Sequence, residues 1–152
     1  MSGVSSVDPT AEAAAIISRL QALTDGATYN GIKQGFELPT DSFGNKLPYR
    51  DFEHGSVIRA AGGRLLAVGE QAQPHIWGFQ VHHYATTRDA AFKLSTETSK
   101  ALIGWAPSAA ADPINTVFFT LYDEFSKSGE HVGYVRTMFF ETTLGQNPNL
   151  SL

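Results

Sequence analysis

No cysteine occurs in the 152 residues. Its absence removes disulfide staples, thiolate metal ligands and thiol nucleophiles together. Charge is scarce as well: Asp, Glu, Lys and Arg supply 17% of the chain, against about a quarter in ordinary soluble domains. A surface so thinly charged is poorly protected against self-association and suits a chain that keeps part of its surface covered in an assembly. The formal net charge is -4 and no Lys/Arg cluster is present, which argues against a nucleic-acid backbone as partner. No stretch approaches the roughly 18 apolar residues that a membrane-spanning helix needs. Asp8 and Glu12 stand where an export signal carries basic residues, so neither membrane insertion nor export is expected. What remains is a 42% hydrophobic chain, long enough to close one core of its own.

The motifs of common chemistries are missing too. The histidines are His54, His75, His82, His83 and His131, without the HxH, HExxH or zinc-finger spacings. His82 and His83 are adjacent, so a strand points them to opposite faces and they cannot share one metal undistorted. A set of His83, His131 and Asp123 is the remaining metal-site candidate. Asp123 and Glu124, as strand neighbours, read as solvated carboxylates and not as an acid–base pair. The serines lack a GxSxG elbow. Gly62-Gly63, between Arg59 and Arg64, lacks the GxxxxGK[ST] spacing of a phosphate loop. No catalytic, cofactor or metal residue is assigned, and the reading is of a non-enzymatic chain.

The stretch from Pro74 to Trp105 organises what is present. Trp77, Phe79, Val81, His83 and Ala85 alternate with Gly78, Gln80, His82 and Tyr84, the period of a strand. Thr86-Thr87-Arg88-Asp89 then reads as a capping box, with the Thr86 hydroxyl over the first turn and Asp89 reaching back. Ala90, Ala91, Leu94, Ala101, Leu102 and Trp105 keep a helical period over Thr87–Gly104, until Gly104 and Pro107 stop it. Upstream, Asp8-Pro9 starts a helix over Pro9–Asp25, with Ala13, Ile16, Ile17, Leu20 and Leu23 as its apolar stripe and Gly26 as its stop. Ile32 to Leu38 is a candidate short strand. Leu47 to His54 is another, whose buried face is inconsistent unless a bulge sits near Arg50-Asp51. Gly55 to Gln73 is either a hairpin with Gly62-Gly63 at its tip or a loop that orders on assembly.

Downstream, Ile114–Phe125 and Val132–Thr143 are strands joined by a short polar link, hence a hairpin. Val117, Phe119 and Leu121 oppose Phe118, Thr120 and Tyr122. Val132, Tyr134, Arg136, Met138 and Phe140 oppose Gly133, Val135, Thr137, Phe139 and Glu141. Aromatics on both faces exceed what a sheet with one wet face shows. The fold class is α+β: a two-layer, mainly antiparallel twisted sheet with two helices packed on one face. Residues 9–143 form the single domain, 1–8 a flexible arm and 144–152 a tail. Ile16, Leu20, Leu94, Leu102, Val117 and Phe119 are the expected core.

Three stretches, KLPYRDFEHGS, QPHIWGFQVHHYATTRDAAFKLSTETSKALIGW and VGYVRTMFFETT, together resemble the lambda-type tail terminator (minor tail) family of long non-contractile-tailed bacteriophages. In that family an LPY-type strand precedes a loop. A strand ending in a Tyr-Ala…Thr-Arg…Ala turn then leads into a helix closed by Leu-x-Gly-Trp. Tyr84, Ala85, Thr87, Arg88 and Ala90, then Leu102, Gly104 and Trp105, occupy those places. The resemblance spans about Pro9 to Thr143, although Thr40–Lys46 and Arg59–Gln73 are not matched residue by residue. It implies a homohexameric ring that caps the head-proximal end of the tail tube, stops growth of the major tail tube protein and meets the head–tail connector or neck protein. The implied place is the virion tail, after assembly in the host cytoplasm. A neck or connector-completion protein is the neighbouring possibility, and a small metal- or ligand-binding enzyme domain the more distant one. Arg59, Gly62, Gly63, Arg64, Phe118, Tyr134 and Phe139 are the candidate interface residues, with the glycine–arginine segment at a docking surface or the ring lumen.

Overall fold

A computed structural model describes residues 9–23, 27–30, 38–60, 75–119, 123–127 and 130–144. Of these, 55–60, 75, 118, 119, 123–127 and 130–132 are described by backbone alone. The elements run α1 (Thr10–Gln21), β1 (Ala27–Asn30), β2 (Tyr49–Ala60), β3 (His75–Ala85), α2 (Arg88–Leu102), β4 (Asn115–Phe119), β5 (Asp123–Lys127) and β6 (Glu130–Leu144). The six strands make one sheet in the order β1-β2-β3-β6-β4, and β5 also pairs with β6. Only β1–β2 is parallel; the other pairings are antiparallel. The α+β class and the mostly antiparallel sheet agree with the periodicities.

Alternation along β3 sets the layers. Trp77, Phe79, Val81, His83 and Ala85 are all buried, and their register partners on β6 include Thr142, Phe140, Met138 and Arg136. Phe52 of β2, lying opposite Val81, joins the same cluster. Ala13, Ile16 and Leu20 of α1 and Leu102 of α2 also belong to it, so both helices pack against this face. Each large apolar side chain taken out of water here contributes about 1.5–3 kcal/mol. Ile16, Leu20, Leu94 and Leu102 are buried as expected.

Several boundaries differ from the sequence reading. The cap of α2 is Thr87 and not Thr86: Thr87 is extended, and its Oγ1 accepts the Ala90 amide at 3.1 Å. A reciprocal acid would have to stand at Ala90, so Asp89 completes no capping box and only places a negative charge in the first turn. The far end behaves as read. Gly104 takes φ +84, the left-handed region that Cβ disfavours, and its amide reaches the Ile114 carbonyl at 2.9 Å. In α1, Pro9 occupies the cap position itself, accepting the Ala13 amide at 2.8 Å, and the helix ends at Gln21. Asp8 and Gly26, the expected start and stop, lie outside the described residues.

Strand β1 was not anticipated, and of the expected strand Ile32–Leu38 only Leu38 is described; it is not in a strand. No bulge sits at Arg50-Asp51, where Tyr49–His54 pairs regularly with Phe79–Tyr84; the register shifts between His54 and Ile58. The disagreement about faces has another cause. Tyr49 and Phe52 point to opposite faces and both are buried.

The expected strand Ile114–Phe125 appears as two elements, β4 and β5, around residues 120–122, which lie outside the described set. Val117 was expected in the core and is 45% exposed. The β4–β6 register slips between Thr116 and Phe118, which takes Val117 out of the alternation. The Phe119 side chain is not described. The β5–β6 hairpin forms as expected, closing at Lys127 opposite Glu130.

Candidate functional site

The upper half of the layer between α2 and the sheet is polar. The helical period that turns Ala91, Leu94 and Leu102 inward also turns in Ser95 and Thr98. Opposite them, strand alternation delivers Arg50, His83 and Arg136, which are neighbours across β2, β3 and β6. Arg50 is 0% exposed; its Nη2 meets Glu97 Oε1 at 2.8 Å and its Nε donates to Thr98 Oγ1 at 2.9 Å. Thr98 Oγ1 lies 2.8 Å from His83 Nε2, and His83 Nδ1 lies 2.8 Å from the Arg136 carbonyl.

A carbonyl can only accept, so Nδ1 carries the proton and Nε2 accepts from the Thr98 hydroxyl. Burial, with Arg50, His82 and Arg136 adding to it, lowers the His83 pKa to about 3 against the opposing pull of the Arg136 carbonyl. The imidazole is therefore neutral at physiological pH. Both ring nitrogens are engaged, so a metal at His83 would have to displace one of these bonds. Arg136 completes the seam, donating to Ser95 Oγ at 2.8 Å while its guanidinium lies 4.8 Å from the Phe92 ring centre.

The opposite face is closed at one end from within the chain. Leu38 packs on Tyr49 and Tyr84, whose rings stack at 4.7 Å, with Tyr29 and Val135 at the margin. Burial, then the charges of Asp51 and Glu53, pushes the Tyr84 phenol up to about 12. Burial raises Tyr49 further, with Tyr84 and Asp51 contributing. Both stay protonated. Next to them, His82 bridges Thr137 Oγ1 at 2.7 Å and Glu53 Oε2 at 3.1 Å, tying β6, β3 and β2 together on the half-buried part of the face. His82 and His83 point to opposite faces, as their adjacency required. The backbone places Asp123 opposite Val135 and His131 opposite Ser126, while His83 stands opposite Arg136. Among the described residues no group of three or more metal-ligating side chains is assembled.

The candidate interface residues do not form one patch. Arg59 lies on β2 opposite Ile76, near one end of the sheet. Gly62, Gly63 and Arg64 lie outside the described residues. Phe118, on the edge strand β4, stands in register with Phe139 of β6. Tyr134 is on the helix side at the other end, opposite Ala85 and 5.4 Å from the Arg88 guanidinium. Tyr134 and Phe139 are five positions apart, about 17 Å along a strand.

No family model matches this chain, and no curated protein matches it.

Pro39 to Ser42 and Gly44-Asn45 read as turn material in the sequence, and Thr40–Lys46 folds as a turn. Thr40 and Lys46 form an antiparallel bridge, and Leu47 N donates to the Pro39 carbonyl at 2.7 Å. The Asp41 carboxylate accepts from the amides of Phe43 (2.8 Å) and Asn45 (2.9 Å) and from Asn45 Nδ2 (3.3 Å). The Asn45 amide leads the causes that hold its pKa below the ordinary carboxylate value. Gly44 follows at φ +83, and Phe43 stands at the tip, 87% exposed. The signal was present as Asp-Ser-Phe-Gly-Asn, turn-forming residues around one aromatic.

Proposed function

We propose that this chain is a structural ring subunit of the tail-terminator type. It closes as a homohexamer on the head-proximal end of a phage tail tube, stops addition of the major tail tube protein and presents its other side to the head–tail connector or neck protein. The observation that carries the reading is the element order on a mixed sheet. A helix comes first, then the short β1, the LPY strand β2, the long β3 paired with it, a capped helix closed by Leu102-Ile103-Gly104-Trp105, the short β4, and finally the β5–β6 hairpin, whose β6 returns beside β3. That is the arrangement implied by the family resemblance in the sequence. The β2–β3 pair brings Ala60 and His75 together at one end of the sheet, so the segment holding Gly62, Gly63 and Arg64 joins the two strands there. The glycines allow rearrangement on docking, and the arginines suit carboxylates on a partner.

The test is to add purified full-length chain to the polymerising tube protein and measure tube lengths by electron microscopy. Shortened tubes with a ring at one end are expected. Tubes of unchanged length, or particles carrying this chain on the capsid shell or the distal tail tip, overturn the proposal. A ring found between tail and connector that leaves tube growth unaffected favours the neck role.

A further inference from the structure

We propose that the Phe43 turn is the plug of a head-to-tail contact between two copies of this chain, seated on the neighbour's margin around Ile103 and Val117. The inference rests on the ring reading above and names the surfaces that make it.

Phe43 is the most exposed of the large hydrophobic side chains among the described residues, at 87%. Lone exposed apolar residues are common on protein surfaces. This one differs in its support. The carboxylate of Asp41, the bridge Thr40–Lys46 and the left-handed Gly44 fix the turn beneath it. A side chain held out on a fixed turn has already lost the backbone freedom that binding would otherwise remove. Aromatic residues presented in this way are typical anchors of protein interfaces.

The receiving surface is at the other end of the molecule. The base of the turn, Pro39 and Leu47, lies just before Tyr49, which pairs with Tyr84. Helix α2 starts at that same end and runs 15 residues to Leu102, about 22 Å away. There Ile103 is 47% exposed and forms a bridge with Ile114, the residue that leads into β4 and the 45% exposed Val117. The two apolar features therefore cannot meet within one copy, but they can meet between copies. A contact between two different surfaces repeats around a ring of order above two, whereas a self-complementary patch stops at a dimer.

Charge favours this pairing over Phe43 against Phe43. Asp41, held anionic, flanks the tip, while Lys46 sits nearer the base. Beside Ile103 stand Lys100, which is exposed, and Arg19, whose Nε reaches the Ala101 carbonyl at 2.6 Å and whose guanidinium stacks 4.5 Å from the Trp105 ring centre. Asp41 beside the plug thus faces Lys100 and Arg19 at the Ile103 side of the seat, with Asp112 and Glu141 at its strand side by Ile114 and Asn115, whereas two plugs face to face would oppose two acids.

The cysteine-free sequence allows a direct test on the full-length chain. Phe43→Cys and Ile103→Cys chains are mixed and treated with a short bismaleimide. A cross-linked dimer is expected from the mixture and from neither chain alone, and the doubly substituted chain should give a ladder ending at the order of the ring. Phe43→Ser, at an exposed position, should keep its melting temperature and weaken self-association at least tenfold in a concentration series. Phe43→Cys cross-linking to itself, assemblies without the mixed cross-link, or a chain that stays monomeric without it at every concentration would each overturn the contact. Failure of the two readings can be told apart. If Phe43→Ser still caps tubes as well as the parent, only the contact is wrong. If the cross-linked ring forms and leaves tube growth unaffected, only termination is wrong.

Discussion

Along the helix-side face of the sheet, the Trp77 end and the His83 end are buried to the same depth and held by different physics. Trp77, Phe79, Phe140 and Leu144 meet Ile16 and Leu102 through apolar contact. Arg50, His83 and Arg136 meet Ser95, Glu97 and Thr98 through directed hydrogen bonds. Apolar burial holds the layers together but is tolerant of small shifts along the sheet, because its energy follows area and not direction. A chain of donors and acceptors tolerates no such shift, since each broken bond strands a buried polar group. The apolar end supplies adhesion, and the polar end determines where along β3 and β6 the helix comes to rest.

Truncation tests the adhesive end. Leu102→Ala should cost about 2–5 kcal/mol and Trp77→Ala about 3–5, read as denaturant midpoints, with little change in how stability varies with pH. Next in size is Thr98→Val, which keeps the shape and removes the hydroxyl that serves both Arg50 and His83. It should cost about 2–4 kcal/mol from two stranded groups; a loss under about 0.5 kcal/mol would show that the seam is not directional.

Acid titration separates the two ends further. Unfolded, the His83 imidazole binds a proton below about pH 6.5; folded, it does so only near 3. Between those values the unfolded state holds more protons, so stability is fully present above the window and falls with pH by up to about 1.4 kcal/mol per unit. His83→Gln should flatten urea-derived stability across that window by about that slope, and an unchanged slope would remove the residue from the acid response. The smallest effect concerns the start of α2. Thr87→Ala should cost about 1 kcal/mol of thermal stability and Thr86→Ala almost nothing.

The adhesive end was readable from the sequence because its signal is local. The alternation of β3, the stripe of α1 and the stop at Gly104 lie within short windows. The polar end was not. Ser95 and Thr98 fall at inward helical positions, yet hydroxyls there look like surface until Arg50, 48 positions from Thr98, is known to reach them. Strand β1 went unseen because Ala-Thr-Tyr-Asn is too short for a period, and its pairing depends on a parallel crossover. Val117 was misplaced because a register slip reverses inside and outside without marking the sequence. Of the candidate interface, alternation put Phe118 and Phe139 on strands but did not give their register, and the fixed turn under Phe43 depends on side-chain-to-backbone bonds that composition alone does not show.

Strand β6 is flanked by β3 from Tyr134 to Leu144 and, on its other side, by two short strands in succession, β5 and then β4. Its two sides therefore differ in how they come apart. The β4 and β5 segments can be released one at a time, each freeing only its own amides, while release from β3 requires the centre of the sheet to open. Hydrogen exchange should follow that order. Amides of β4 and β5 exchange through separate, shallow openings, and those of β6 that point to β3 exchange only with global unfolding. A sheet built this way can rework one margin and keep its spine closed throughout.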